Sequence, residues 1–201
     1  MIFKRKIYDE LLRWKRTDEG RTAVLIQGAR RVGKSTVAEE FATNEYDTHI
    51  LVDFAACSSE IRDLFNDVSD LNRIFMRLQL EYGIELKERK SAIIFDEVQL
   101  APKARQAIKY LVKDGRYDYI ETGSLISIRK NVKDILIPSE EVKVHMFPMD
   151  YEEFKWALGD TATIKLLQSC FHNRTSLGDA TNRKLMRDFR LYMLIGGMPQ
   201  A

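Results

Sequence analysis

The sequence predicts a three-layer α/β domain on a parallel, five-stranded sheet. Three observations carry that expectation. A short apolar run, Ala23 to Gln27 (AVLIQ), passes through a glycine-bearing loop into a helical pattern. A second apolar run, Ala92 to Phe95, is continuous, as in a strand covered on both faces, and ends in adjacent carboxylates, Asp96 and Glu97. Around them, apolar runs alternate with helix-period segments, the order that builds a parallel sheet.

The loop is Gly28-Ala29-Arg30-Arg31-Val32-Gly33-Lys34-Ser35-Thr36, which fits G-x-x-x-x-G-K-[ST], the cradle for nucleotide phosphates. Gly28 lets the chain leave the strand in a conformation a Cβ would hinder, and Gly33 lets the backbone approach phosphate oxygens. Successive N–H groups of the loop and of the first turn of helix 34–46 then converge on one anion at the positive end of the helix dipole. The dipole supplies only ~0.3–2 kcal/mol. Lys34 adds charge-assisted bonds to the β- and γ-phosphates, roughly 1.5–3 kcal/mol each. The Ser35 hydroxyl is expected on Mg²⁺, and Thr36 on the α-phosphate.

Bulk properties narrow the field. The 201 residues suffice for one good-sized domain with a small appendage. Thirty-two Lys and Arg against 30 Asp and Glu give a net charge of +2, which makes no electrostatic case for a membrane or nucleic acid as an obligatory partner and leaves nucleic acid open. Cys57 and Cys170 fit no metal or redox spacing and are expected as reduced thiols of a cytoplasmic protein. No apolar run is long enough to span a membrane, and the N-terminus lacks the features of a signal peptide.

Taken in order, residues 3–16 predict an amphipathic helix, with Ile7, Leu11 and Trp14 on one face. Lys4, Arg5, Lys6, Arg13, Lys15 and Arg16 make it basic. A solvated face is expected for them, with a place beside a nucleotide or acidic partner as the alternative. After the phosphate loop and its helix, His49 to Phe54 is a buried strand whose Asp53 is expected to cap the next turn, with contact to a ligand as the alternative. Residues 60–65 and 70–82 are helical. Ser69 or Asp70 is the N-cap of the second, Gly83 its stop, and Phe75 with Met76 core packing. Residues 91–98 form the strand that carries Asp96 and Glu97. Pro102 to Asp114 begins with proline in the first turn and stops before Gly115. Tyr117 to Ser124 is a fourth strand, Leu125 to Pro138 a partly helical connection, and Glu141 to Phe147 a less buried fifth strand with His145 at the surface. Asp150 and Glu153 form a capping box for the helix YEEFKWAL. Residues 161–172 and 181–195 are helical, with a loop over 173–179.

The second chemical stretch is SAIIFDEV. Open α/β sheets bind ligands at the carboxyl ends of their strands. Asp96 is therefore placed to hold Mg²⁺, while Glu97, pointing the other way, can orient an attacking water. Gln99 follows on the same edge, either near the γ-phosphate and its water or as a plain loop residue. The polar tip of the fourth strand suits a sensor of the γ-phosphate, with Ser124 the first choice and Thr122 close behind. A glutamate adjacent to the metal aspartate, followed by a polar-tipped strand, indicates a P-loop NTPase of strand order 5-1-4-3-2. The predicted layout is a helix over 1–20, a P-loop ATPase core over 21–150 and a helical lid segment over 151–201.

GARRVGKST, IIFDEVQL, YIETGSL, FPMDYEEF and GGMPQ occur in this order, and together they resemble prokaryotic AAA-type ATPases that pair an N-terminal ATPase domain with a C-terminal domain of unknown function. The resemblance implies ATP, Mg²⁺ and hydrolysis. It also implies a longer full-length protein from which the C-terminal domain is missing here, and a homo-oligomer as a candidate assembly. Such enzymes complete the site with an arginine from a lid or a neighbouring subunit. Arg129, Arg187 and Arg190 are the candidates, and no motif chooses among them.

The function that follows is a Mg-dependent ATPase whose hydrolysis drives a conformational switch, with Glu97, Lys34 and Ser124 as catalytic groups, Ser35 and Asp96 on the metal, and residues 28–36 on the nucleotide. The alternative is a nucleotide-gated signalling or interaction scaffold with negligible hydrolysis. A phosphoryl-transfer enzyme acting on a small acceptor is a third reading.

Overall fold

The structure, a computed structural model, describes residues 3–124 and 139–199. The expected connection Leu125–Pro138, with Arg129, lies outside the described residues. The chain divides into two compact units: Ile7–Met146, and the N-terminal residues up to Lys6 together with the chain from Phe147 onward.

The larger unit runs α1 (Ile7–Asp18), β1 (Ala23–Gly28), α2 (Lys34–Glu45), β2 (Thr48–Asp53), α3 (Ser59–Asp63) with a 3₁₀ turn (Leu64–Asn66), α4 (Leu71–Tyr82), β3 (Ser91–Asp96), a second 3₁₀ turn (Val98–Leu100), α5 (Pro102–Asp114), β4 (Asp118–Ser124) and β5 (Glu141–Met146). All strand pairs are parallel, and the order is β2-β3-β4-β1-β5, the predicted order read from the other edge.

Strand alternation divides the apolar residues between two layers. On one face Leu25, Ile50, Val52, Ile93, Phe95 and Tyr119 pack with Ile74, Phe75 and Leu78 of α4 and with Ala104, Ile108 and Leu111 of α5. On the other, Val24, Ile26, Ile94 and Ile120 are buried, as are Leu11 and Trp14 of α1 and Val37, Ala38 and Phe41 of α2, which packs across four strands. Each large side chain so buried contributes roughly 1.5–3 kcal/mol. β1, β3 and β4 are buried along their whole length, whereas β5 is largely exposed, as an edge strand is.

The local signals act as their chemistry dictates. The Asp70 carboxylate accepts from Arg73 N at 3.1 Å to cap α4, and Gly83 ends it at φ 64°. Asp53 Oδ1 accepts from Ala55 N at 2.8 Å, a turn cap as expected. Met76 corrects the expectation of core packing: it is 53% exposed, because Phe75 alone of the pair faces inward. Helix α1 begins at Ile7, four residues later than the pattern suggests.

The smaller unit holds α6 (Tyr151–Ala157), α7 (Thr163–His172) and α8 (Asp179–Ile195). The Asp150–Glu153 capping box of α6 is complete in both directions. Tyr151 and Phe154 of α6 meet Tyr192 of α8 at ring separations of 5.6 and 5.3 Å. Arg5 departs from the solvated face expected for the basic run. It is buried, donates to Phe147 O at 2.7 Å and pairs with Glu153 Oε1 at 3.2 Å. Two of the five motif segments touch here, since Met149 N donates to Gly197 O at 2.6 Å. Among the described residues no helix is long and apolar enough to cross a membrane.

Candidate active site

The residues singled out on the sequence gather at the carboxyl ends of β1, β3 and β4, within the larger unit. Their arrangement starts from the backbone. Gly28 ends β1 where a Cβ would lie 2.1 Å from the carbonyl oxygen of Met146 on the neighbouring strand, so its requirement is close approach. Arg31 and Gly33 both have left-handed backbone, at φ 66° and 96°. That alternation turns successive N–H groups of the loop toward a common concavity, the shape that takes an anion. Gly33 is the N-cap of α2 and makes no side-chain cap bond, so the first turn of the helix keeps free donors facing the same concavity.

Lys34 is buried, and its Nζ donates to Ala29 O at 2.9 Å. Burial lowers its pKa, while Glu97 and Asp96 pull it back up. A buried ammonium resting on a carbonyl is short of partners, and an incoming phosphate would supply them. Arg30 and Arg31 are exposed on the loop.

Ser35 and Asp96 are 61 residues apart in the chain and meet: Ser35 Oγ donates to Asp96 Oδ1 at 2.6 Å. Thr122, fully buried on β4, also donates to Asp96 Oδ1, and its Oγ1 accepts from Glu97 N at 3.2 Å. Thr122 thus ties the two acidic positions together. Ser124 is buried at the tip of β4, beside Gly28 in the β1 register.

Glu97 adopts φ 53°, ψ 45°. This left-handed conformation in a residue with a Cβ costs about 1–3 kcal/mol and marks a position held by its surroundings. The Thr122 bond and the donation of Leu100 N to Glu97 O at 2.9 Å hold it. Gln99 Nε2 donates to Glu97 Oε2.

The donors suit a hard divalent cation. A hydroxyl and a carboxylate oxygen converge, while no cluster of three His, Cys, Asp or Glu side chains exists among the described residues. Ser35 and Asp96 could therefore hold Mg²⁺ only together with phosphate oxygens and water, the way that ion binds at nucleotide sites.

Sequence reasoning missed a second polar group on the opposite face of the same strands. Arg105 of α5 makes a two-pronged contact with Glu141 of β5, at 3.0 and 2.9 Å, with both side chains buried. Beside it Glu121, adjacent to Thr122, is fully buried, and neither carboxylate oxygen has a hydrogen-bond partner among the described residues. Burial, then Glu141, push its pKa well up, and Arg105 offsets part of this. The signal was available as Glu121, a carboxylate inside the fourth strand ahead of its polar tip, but its partners are distant in the chain. Arg187 and Arg190 lie on α8, in the smaller unit.

Sheet order, glycine loop and paired acids define a P-loop NTPase domain. More particularly, the chain belongs to the AAA domain family, whose model matches residues 20–155. None of the curated proteins matches it. Among solved structures it is similar to the Orc1 protein of Aeropyrum pernix in complex with DNA, at 15% identity and a TM-score of 0.49, over 81% of this chain and 50% of that one. It is also similar to PCH-2 of C. elegans, at 14% identity and 0.42, over 75% and 45%. A third is the RuvB Holliday junction branch migration motor of Thermotoga maritima, at 12% identity and 0.43, over 76% and 48%. The chain spans about half the length of these structures or less.

Proposed function

We propose that this domain binds ATP with Mg²⁺ and hydrolyses it, and that turnover drives a conformational switch. The observation that carries the reading is the convergence of Ser35 and Asp96 at 2.6 Å, with Glu97 next in the chain and held in a strained backbone. Bound Mg²⁺ would supply charge stabilisation to the phosphates. The remaining work falls to the chain. Residues 28–36 wrap the phosphates with backbone N–H groups. Lys34 turns its ammonium from Ala29 O to the β- and γ-phosphate oxygens. Ser35 and Asp96 hold the cation. Glu97 orients a water and takes its proton, and Ser124 donates to the γ-phosphate. The reduced Cys57 and Cys170 fit a cytoplasmic setting.

The test is steady-state phosphate release at saturating Mg·ATP, with binding of a fluorescent ATP analogue measured alongside. Wild-type turnover that falls ~100-fold or more in Glu97→Gln, with binding retained, is the expected result. Loss of binding in Lys34→Ala completes it. Negligible turnover in wild type, with binding intact, replaces hydrolysis by a nucleotide-gated scaffold, whereas equal measurable turnover in wild type and Glu97→Gln removes the role of Glu97.

A further inference from the structure

Glu97 is fixed through its backbone at three points: its N–H by Thr122 Oγ1, its C=O by Leu100 N, and its φ by the turn that follows. Its side chain still has three rotatable bonds. A carboxylate that must aim at one water needs those fixed as well, because preorganisation of the reacting group supplies much of the rate. The donor that meets it is the carboxamide of Gln99, two residues on.

Gln99 is built to be a fixed donor. It sits in the 3₁₀ turn Val98–Leu100 and is only 5% exposed. Val98 beside it is fully buried in the main apolar cluster. The turn leads directly into α5, whose first turn is stiffened by Pro102. A neutral amide is also the right kind of donor here. It holds the carboxylate without neutralising it as a lysine would, and each carboxylate oxygen has capacity left for a water.

We propose that Gln99 is a positioning residue, acting through Glu97 by holding its carboxylate in the orientation that takes the water's proton. This rests on the role given to Glu97 above. It differs from a direct contact of Gln99 with the γ-phosphate, because every effect of Gln99 on turnover then passes through Glu97.

That difference sets the experiment. Turnover and nucleotide affinity are measured on the full chain for wild type, Gln99→Glu, Gln99→Ala, Glu97→Gln and the double variant Glu97→Gln/Gln99→Glu. Gln99→Glu keeps the size and removes the donor. Turnover at saturating Mg·ATP is expected to fall ~10-fold or more in Gln99→Glu and in Gln99→Ala, with KM and analogue affinity within about twofold of wild type. In the Glu97→Gln background, Gln99→Glu is expected to lower turnover no further, the signature of two groups acting as one. A packing role would instead reduce turnover by the same factor in both backgrounds. Independently, the side-chain amide resonances of Gln99, observed by ¹⁵N NMR without nucleotide, are expected to move in Glu97→Gln. Wild-type turnover in Gln99→Glu, equal factors in both backgrounds, or Gln99 resonances that stay in place would each overturn the inference. Wild-type turnover in Glu97→Gln would instead remove the role given to Glu97 while leaving hydrolysis in place, and the resonance measurement would still decide whether Gln99 holds that carboxylate.

Discussion

Thr122 Oγ1 donates to Asp96 Oδ1 while accepting from the backbone N–H of Glu97 at 3.2 Å, so one buried hydroxyl holds both acids of the site. Replacing it by valine keeps the shape and deletes both bonds. Asp96 then loses a donor and the Glu97 N–H loses its acceptor in a buried setting, at about 1–3 kcal/mol. Thr122→Val is expected to melt lower and to need more Mg²⁺ for analogue binding, whereas Thr122→Ser keeps the hydroxyl and stays near wild type. Thermal melts and Mg²⁺ titrations of the two variants check this. Equal midpoints in Thr122→Val and wild type would contradict it.

The choice between Thr122 and Ser124 shows where sequence reading stops. The two are two residues apart on one strand, so they share a face, and periodicity cannot separate them. Register tells their positions apart: Phe95 pairs with Glu121, which brings Asp96 alongside Thr122, whereas Ser124 pairs with Gly28. The phosphate loop and the strand order were legible because a local motif and the sequence of elements encode them. Arg5 was not, because Lys4-Arg5-Lys6 reads as a solvated charge run. Its partner Glu153 is recognisable in sequence only as a capping residue, and the fold uses the same carboxylate both to cap the helix and to hold the arginine. Glu121 was hidden for a similar reason: only the fold brings Arg105 of α5 and Glu141 of β5, 36 residues apart in the chain, beside it.

Gly28 tests a different link, between the loop and the edge strand. A Cβ there would meet Met146 O at 2.1 Å, and that oxygen is backbone in a paired strand. The strand cannot rotate it away as a side chain would turn. Gly28→Ala is therefore expected to destabilise the domain by ~1–3 kcal/mol through displacement of β5. Amide exchange should rise along Glu141–Met146 more than along β3. An unchanged melting temperature and unchanged exchange in β5 would show that the neighbour yields freely.

Glu121 gives a pH dependence whose sign can be worked out. Its pKa is pushed well above the ordinary 4.5, first by burial and then by Glu141. The folded state therefore keeps its proton at pH values where the unfolded chain has lost it. Stability from this group is fully present below the ordinary carboxylate pKa and drains away as pH rises toward the folded value. Glutamine copies the protonated carboxyl and cannot ionise. Glu121→Gln is thus expected to resemble wild type near pH 4 and to be progressively more stable above it. The gain by pH 8 should reach roughly 1 kcal/mol or more, about 2–4 °C in melting temperature for a chain of this size. Removing Arg105 instead strips Glu141 of its buried partner beside that carboxyl, and Arg105→Met is expected to cost about 3–5 kcal/mol. Melting curves from pH 4 to pH 8 on the three proteins decide the matter. If Glu121→Gln and wild type kept a constant difference across that range, Glu121 would be ionised in the fold, and Arg105 would be serving two carboxylates rather than one.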